Sequence, residues 1–471
     1  MSSGALPELE GRPGALSELE RAERLLSSTP GRWRVLYHND GDGIASASVA
    51  ARALSRWGRR WQLTALFSLE EGRIRALLAR TAGPVLVVDT GESYLELLSL
   101  HPQPVIVLDH HRPLGPPPPR EGLVVVNPHH WGVDGMSECS ASVLTYLFAR
   151  RLSEENTDLV AWAFAGAVAD RMHVGGFRGL NQSVLARAEA HGLLQRRPTL
   201  SLAEGELARS IAGSVDPYYR GLSGNPGAVR NFLEDLGEDP REPLSSLRPE
   251  ALRRLTSALL LQLIAQGTRP EFCERVREER LLLQPEEEDV GWLSTLQNAC
   301  GREGRPSLGI ALALGDRSAR ERAKELEQHW RSRVLAELAR LERGEGLEAR
   351  EHLQAFSLDE PALAGPVAGL ALAYLLDPDR PVFALARQGD VVKVSARGTP
   401  RLTDRGLDLA ETCRRAAQAV GGEGGGHRVA SGASIPKGEE AAFLREADRL
   451  LAGQPFHAGG VAGAGGRSDS P

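Results

Sequence analysis

Cysteine is scarce in this chain, and lysine scarcer. Its cysteines, Cys139, Cys273, Cys300 and Cys413, stand far apart and form no CxxC pair. Neither a thiolate zinc site nor a disulfide framework has support. Lysine occurs only at Lys324, Lys393 and Lys437, so arginine supplies nearly all the positive charge. A GC-rich genome accounts for that bias without a phosphate-binding role. Excess positive charge is missing too. The formal net charge of −6 argues against coating nucleic acid through bulk charge, but leaves room for a local basic groove. No apolar run approaches the roughly 20 residues of a membrane span. The N-terminal stretch "MSSGALPELEGRPGALSELERAERLL" has no basic start followed by an apolar core, so no secretory signal is expected. The expected compartment is the cytoplasm, with no membrane partner.

What is present is a globular composition, 41% hydrophobic and 25% charged over 471 residues, long enough for two or three domains. Between residues 33 and 185 short apolar runs ("WRVLYH", "PVLVVDT", "PVIVLDHH", "GLVVVNP") alternate with helical stretches such as "SASVAARALSRW". That pattern predicts an α/β fold with a mostly parallel sheet. A helical region follows, and near 351 a smaller α/β pattern begins with "HLQAFSLDE" and "PVFALARQG". The expected organisation is a polar lead with one amphipathic helix over 1–30 and an N-terminal parallel-sheet domain over 31–190. A helical middle region over 191–345, a smaller C-terminal α/β domain over 346–453 and a flexible tail over 454–471 complete it.

The acids of the first domain fall where the apolar runs end. "RVLYH" ends at His38, with Asp40 and Asp42 in the turn; "VLVVD" ends at Asp89; "VIVLD" ends at Asp109, followed by His110 and His111. The run "LVAWAFAGAVAD", read as a buried helix, ends at Asp170. In a parallel sheet, ligands bind beyond the carboxyl ends of the strands. One aspartate there is commonly a cap or a turn former. Four segments that each deliver one are hard to explain as capping, because clustered carboxylates repel unless cations neutralise them. A mixed His/Asp set suits manganese better than calcium. So many ligands exceed one ion, and two ions about 3.5–4 Å apart are the usual arrangement for phosphoester hydrolysis.

In these residues the sequence resembles the DHH phosphoesterases. Asp109-His110-His111 matches the motif that names them, "HNDGDGIASA" looks like their first motif, "VVDTG" their second and "AGAVADR" their fourth. "GGEGGGH", ending at His427, looks like the signature of the DHHA1 domain that accompanies them. "DPYYRGLSGNPGAVRNFLEDLG", "LQNACGR" and "GLNQSVL" are similar to the archaeal RecJ-like branch, including its GINS-associated nucleases. The resemblance implies that His38, Asp40 and Asp89 hold one metal and that Asp42, Asp89, His110 and Asp170 hold the other. His111 would stand near the scissile phosphate and Asp109 would orient the site. Mn²⁺ is the expected ion, with Mg²⁺ or Co²⁺ as alternatives.

In the C-terminal domain, Ser395 and Arg397 match the family's Ser-x-Arg element, and an arginine there would fork onto a phosphate. Gly424, Gly425 and Gly426 would bring backbone N–H groups to the same anion, with His427 and Arg428 as further donors. Cys300 reads as packing. Asn298 and Arg302 are left between substrate contact and helix capping, and Asn127, His129, His130 and Asp134 read as loop. The function expected is a RecJ-like exonuclease acting on single-stranded DNA or RNA in replication or repair, with GINS or similar proteins as partners. Two rivals stand beside it. One is an oligoribonuclease or cyclic-dinucleotide phosphodiesterase using the same site. The other is a non-catalytic replisome scaffold, which predicts broken motifs where these are whole.

Overall fold

In the computed structural model, which describes residues 6–67 and 70–457, the first sheet is built of β1 (Arg32–His38), β2 (Arg60–Leu66), β3 (Val85–Val88), β4 (Val105–Leu108) and β5 (Leu123–Val126). The four apolar runs supply all of these but β2, which sequence reading did not name. The strands pair in parallel in the order β2-β1-β3-β4-β5. Side chains alternate between two cores. Trp33, Val35, Tyr37, Leu86, Val88, Ile106 and Leu108 enter one, and Leu36, Val85, Val87, Val105 and Val107 the other. β3, β4 and β5 are buried on both faces, which is why they read as unbroken apolar runs.

The strand order locates the site. From β1 the chain goes to one side, through α2 (Gly41–Arg56), to make β2, and then returns to the other side of β1 to make β3. The carboxyl ends of β1 and β3 therefore flank the topological switch point, where such sheets bind ligands. His38 ends β1 and Asp89 follows β3.

The described chain divides into two compact units, Met1–Pro198 with Glu279–Trp330, and Thr199–Glu278 with Arg331–Pro471. The region read as a helical middle is thus shared between them. Residues 279–330 rejoin the first unit because α5 (Val290–Arg302) and α6 (Pro306–Ala313) bury Val290, Leu293 and Ile310 in its core. In the same unit α3 (Ala141–Leu152) and α4 (Val160–Ala169) pack on α2.

The stretch read as a polar lead is likewise part of that core. α1 (Pro13–Ser28) buries Ala15, Leu19, Ala22 and Leu26. Ahead of it, Glu8 forms a buried ion pair with Arg150 of α3 and lies 3.4 Å from Arg187. A helix polar on one face packs with the other, so its composition concealed its burial.

The second unit carries a mixed sheet of β6 (Leu347–Ala349), β7 (Gln354–Leu358), β8 (Val382–Gln388), β9 (Val391–Arg397), β10 (Glu423–Gly426) and β11 (Ala430–Pro436). Its order is β10-β11-β9-β8-β7-β6. α7 (Pro361–Tyr374) packs on β8 and β9, while α8 (Leu409–Ala419) and α9 (Glu440–Ala452) bury Cys413, Ala416, Phe443 and Leu451 in the unit's core. Phe456, within the expected tail, is buried in that core, and residues from 458 onward lie outside the described ones. Among the described residues, no helix is long and apolar enough to cross a membrane.

The place of α1 in the core is testable. Leu19 is fully buried, so Leu19→Ala should destabilise the first unit by about 2–5 kcal/mol. A urea transition at the wild-type midpoint would contradict that.

Candidate metal centre

The turn after β1 is built by capping. Asp40 is the N-cap of α2, its Oδ1 accepting from the Gly43 N–H at 3.0 Å, while its Oδ2 lies 2.7 Å from His38 Nδ1. Gly43 is required there by close approach: a Cβ would stand 2.1 Å from the His38 carbonyl oxygen. Two residues on from Asp40, Asp42 is fully buried. Its carboxylate accepts from the N–H groups of Ala141 at 2.8 Å and Ser142 at 3.1 Å, at the N-terminus of α3. Free amides and the helix dipole favour an anion at that place.

Asp89 occupies the centre. It adopts a left-handed backbone, φ 58°, uncommon for a residue with a side chain, and its N–H donates to the Leu108 carbonyl at 3.0 Å. Its Oδ1 lies 3.3 Å from His110 Nε2 and its Oδ2 3.7 Å from His38 Nδ1. Oδ2 is buried without a hydrogen bond. His110 Nδ1 lies 2.8 Å from the Gly135 carbonyl; a carbonyl only accepts, so Nδ1 carries the proton and Nε2 faces the carboxylates. Asp170, at the C-cap of α4, approaches the same Nε2 at 3.6 Å.

Three overlapping groups result, each with donor atoms within 4.8 Å of one another: His38, Asp40 and Asp89; Asp42, His110 and Asp170; and Asp89, His110 and His111. Hard carboxylate oxygens mixed with imidazoles, an excess of acids and the orphaned Asp89 Oδ2 fit divalent cations.

Proton affinities reflect the crowding. Burial disfavours the charged form of His38, but the close Asp40 carboxylate and the nearby Asp89 charge carry it up to about 10. His110, nearly enclosed, is likewise held well above its ordinary value by Asp89. Burial raises Asp89, yet the imidazoles of His110 and His38 beside it keep it below the usual carboxylate range. Burial and the Asp89 charge push Asp42 up, and burial with the Asp42 and Asp89 charges does the same to Asp170.

His111 faces outward, 47% exposed, with Nδ1 2.7 Å from Asp109 Oδ1. Asp109 is held in turn by the N–H groups of His111 at 3.1 Å and Glu92 at 2.9 Å. Sequence reasoning missed two members of this network. Glu92 is buried and accepts from Asn127 Nδ2 at 2.6 Å, and the same Nδ2 donates to the His111 carbonyl at 2.9 Å. The visible signal was an acid three residues past Asp89. Of the other residues read as loop, His130 lies 3.0 Å from Glu18 of α1 and His129 accepts from the Gly135 N–H at 3.3 Å. Cys300 is buried, and burial pushes its thiol up to about 12.

The structure places His38, Asp40, Asp42, Asp89, Asp109, His110, His111 and Asp170 together in the first unit. Ser395, Arg397, Gly424, Gly425, Gly426, His427 and Arg428 gather in the second. There the glycine run forms the edge strand β10. Ser395 pairs with Gly432 and Gly432 with Gly425, so the three form one row across β9, β11 and β10. Neither glycine carries a side chain, and a Cβ at Gly425 would meet nothing within 4 Å. Beside the row, Arg397 packs against Gly365 of α7 and donates to the Ala396 carbonyl at 2.9 Å. Burial lowers the proton affinity of its guanidinium, and no ion pair to it is found among the described residues. Arg428 is more exposed, 3.8 Å from Asp408.

Comparisons agree with this architecture. Residues 33–169 match the DHH family, N-terminal domain, and residues 357–453 the DHHA1 domain. The chain carries both domains, which supports the DHH family and, with it, a phosphoesterase hydrolase class. An uncharacterized protein of Methanocaldococcus jannaschii is 29% identical over 450 residues, 93% of this chain and 98% of the relative. Exonuclease RecJ, solved bound to manganese, has a TM-score of 0.58 at 21% identity, over 94% of this chain and 97% of that one. RecJ from Thermus thermophilus, solved with Mn²⁺, has a TM-score of 0.56 at 20% identity, over 96% of this chain and 56% of that one. CDC45 from Entamoeba histolytica has a TM-score of 0.63 at 10% identity, over 93% of this chain and 99% of that one. These structures share the fold.

Because neighbouring carboxylates hold protons on His38 and His110 at neutral pH, a divalent ion must displace them. Binding of Mn²⁺ at pH 7 should release protons and should strengthen as pH rises. Calorimetry in buffers of different ionisation enthalpy reads the count, and binding without proton release would contradict the protonation described.

Proposed function

We propose that this protein is a metal-dependent phosphodiesterase, a RecJ-like exonuclease that hydrolyses single-stranded DNA or RNA to nucleoside monophosphates. The observation that carries the proposal is the pair of His/Asp groups at the switch point, with Asp89 between them. In this reading His38, Asp40 and Asp89 hold one ion, and Asp42, Asp89, His110 and Asp170 the other, with Mn²⁺ as the ion used. Bound there, two divalent ions acidify a water and offset charge on the attacked phosphate.

The chain's own residues supply the rest. Gly135 fixes the His110 tautomer so that Nε2 is free to ligate. Asp109 holds a proton on His111 Nδ1 and raises its affinity for a second, so the exposed Nε2 edge can donate to a phosphate oxygen. Arg397, a half-buried guanidinium with no ion pair among the described residues, takes a backbone phosphate, with Ser395, His427, Arg428 and the N–H groups around Gly424, Gly425 and Gly426 as further donors.

Likeness to both RecJ and CDC45 folds supports a role in replication or repair, with GINS or similar proteins as partners. A non-catalytic scaffold is disfavoured because every acid and imidazole of the cluster is present and converges. A cyclic-dinucleotide or short-oligonucleotide phosphodiesterase would use the same residues.

End-labelled single-stranded DNA and RNA, blocked at either end and supplied with Mn²⁺, separate these readings. Mononucleotides from long strands are expected. Release only from dimers or cyclic dinucleotides favours the second reading, and no product from any strand sinks the exonuclease. Asp89→Ala should reduce hydrolysis to background while circular dichroism stays native; turnover at the wild-type rate would remove Asp89 from the mechanism. Arg397→Ala should raise KM about tenfold, the loss of a charged hydrogen bond of roughly 1.5–3 kcal/mol, with a smaller change in kcat. A fall in kcat at constant KM would contradict its role as a clamp.

A further inference from the structure

Beside the metal cluster the first unit has an apolar cleft of about 400 Å³, lined by Tyr37, Ala65, Pro306, Ile310 and Leu314, with Phe67 at its rim. That volume is in the range of small-ligand sites. Phe67 is 60% exposed and is the aromatic one among the exposed large apolar side chains of the described residues. An exposed phenyl ring contributes nothing to a core.

Its position gives it a use. Tyr37 immediately precedes His38 in β1, and His38 pairs with Leu66 of β2, strands being about 4.8 Å apart. Phe67 is the next residue, so the ring leaves the sheet at the same carboxyl edge as the metal cluster. The opposite wall is anchored to that cluster as well. Gly301, near the end of α5, lies so close to the Asn39 carbonyl that a Cβ would stand 2.2 Å from its oxygen. Gly304 and Pro306 of the cleft follow within a few residues. Each wall of the cleft is thus continuous along the chain with a segment that meets the His38–Asp42 turn, Tyr37 through His38 and Gly304 through Gly301.

We propose that this cleft is the subsite for a nucleobase, the base of the nucleotide whose phosphate lies at the metal cluster, stacked on Phe67. The inference rests on the reading of the site as a nuclease. A flat ring next to a phosphate-binding centre suits any base, because every base has a π-face, and the apolar wall adds no hydrogen-bond code. Binding there is tolerant of sequence and demands a base. An apolar side chain of a protein partner is the competing occupant.

The test compares single strands that carry an intact or an abasic residue at the terminal position, at each end in turn. The wild-type protein with Mn²⁺ should prefer the intact strand in kcat/KM. Phe67→Ala should reduce that preference about tenfold, and Phe67→Trp should retain it. No preference in the wild type, or an equal preference in Phe67→Ala, overturns the subsite. A second readout needs no hydrolysis. A strand with terminal 2-aminopurine should be quenched on binding the wild-type protein, and less so on binding Phe67→Ala. If the wild type cleaves neither strand, the exonuclease reading fails while the quench still decides the subsite. Equal quenching in both proteins, or none in either, overturns the base subsite and leaves the cleft to a protein side chain.

Discussion

The first unit is organised around mutual repulsion among carboxylates in a place with little water. Asp42 and Asp89 are buried, and Asp40 and Asp170 stand beside them. Two such charges about 4 Å apart cost roughly 4 kcal/mol at the effective dielectric of a protein. The chain offsets part of this itself. His38 and His110 hold protons between the acids, and the N-terminus of α3 receives Asp42. These devices are incomplete, since Asp89 Oδ2 has no hydrogen bond. A cluster so built has a standing affinity for cations, and that affinity is its plainest chemical property.

Each local irregularity follows from the same constraint. Asp89 takes a left-handed backbone because its carboxylate must reach both histidines while its N–H stays on the Leu108 carbonyl. Strain of this sort persists only where the surroundings over-determine it, and here a sheet bond and two imidazoles do so. Asp42 is placed by the start of α3, which is why a helix a hundred residues away in sequence must pack on α2. The switch point supplies the location, and capping supplies the aim.

Much of this was legible in the sequence. Four strands of the parallel sheet, β1, β3, β4 and β5, were readable as apolar runs, and His38, Asp89 and Asp109 were found because they end such runs. β2, an edge strand with only Leu66 buried, formed no such run and went unread. Residues whose role depends on contacts distant in sequence were not legible. Glu92 and Asn127 meet across 35 positions, and no local pattern announces such a pair. α1 displayed its polar face, so its buried face went unassigned. The return of α5 and α6 to the first unit was hidden for the same reason: an amphipathic helix shows that it packs, never on what. The glycine run was not legible as a strand because glycine has almost no strand propensity; β11 supplies the pairing that makes it one.

The second unit shows the opposite imbalance, and the two together narrow the chemistry. In the first unit negative charge exceeds what the protein can neutralise. In the second a half-buried guanidinium, Arg397, has no ion pair among the described residues, beside a row where a Cβ at Gly425 would meet nothing within 4 Å. A free metal ion would satisfy the first and be repelled by the second; a simple anion would do the reverse. Each unit thus asks for its own class of ligand, a divalent cation at the acids of the first and an anion at the guanidinium of the second.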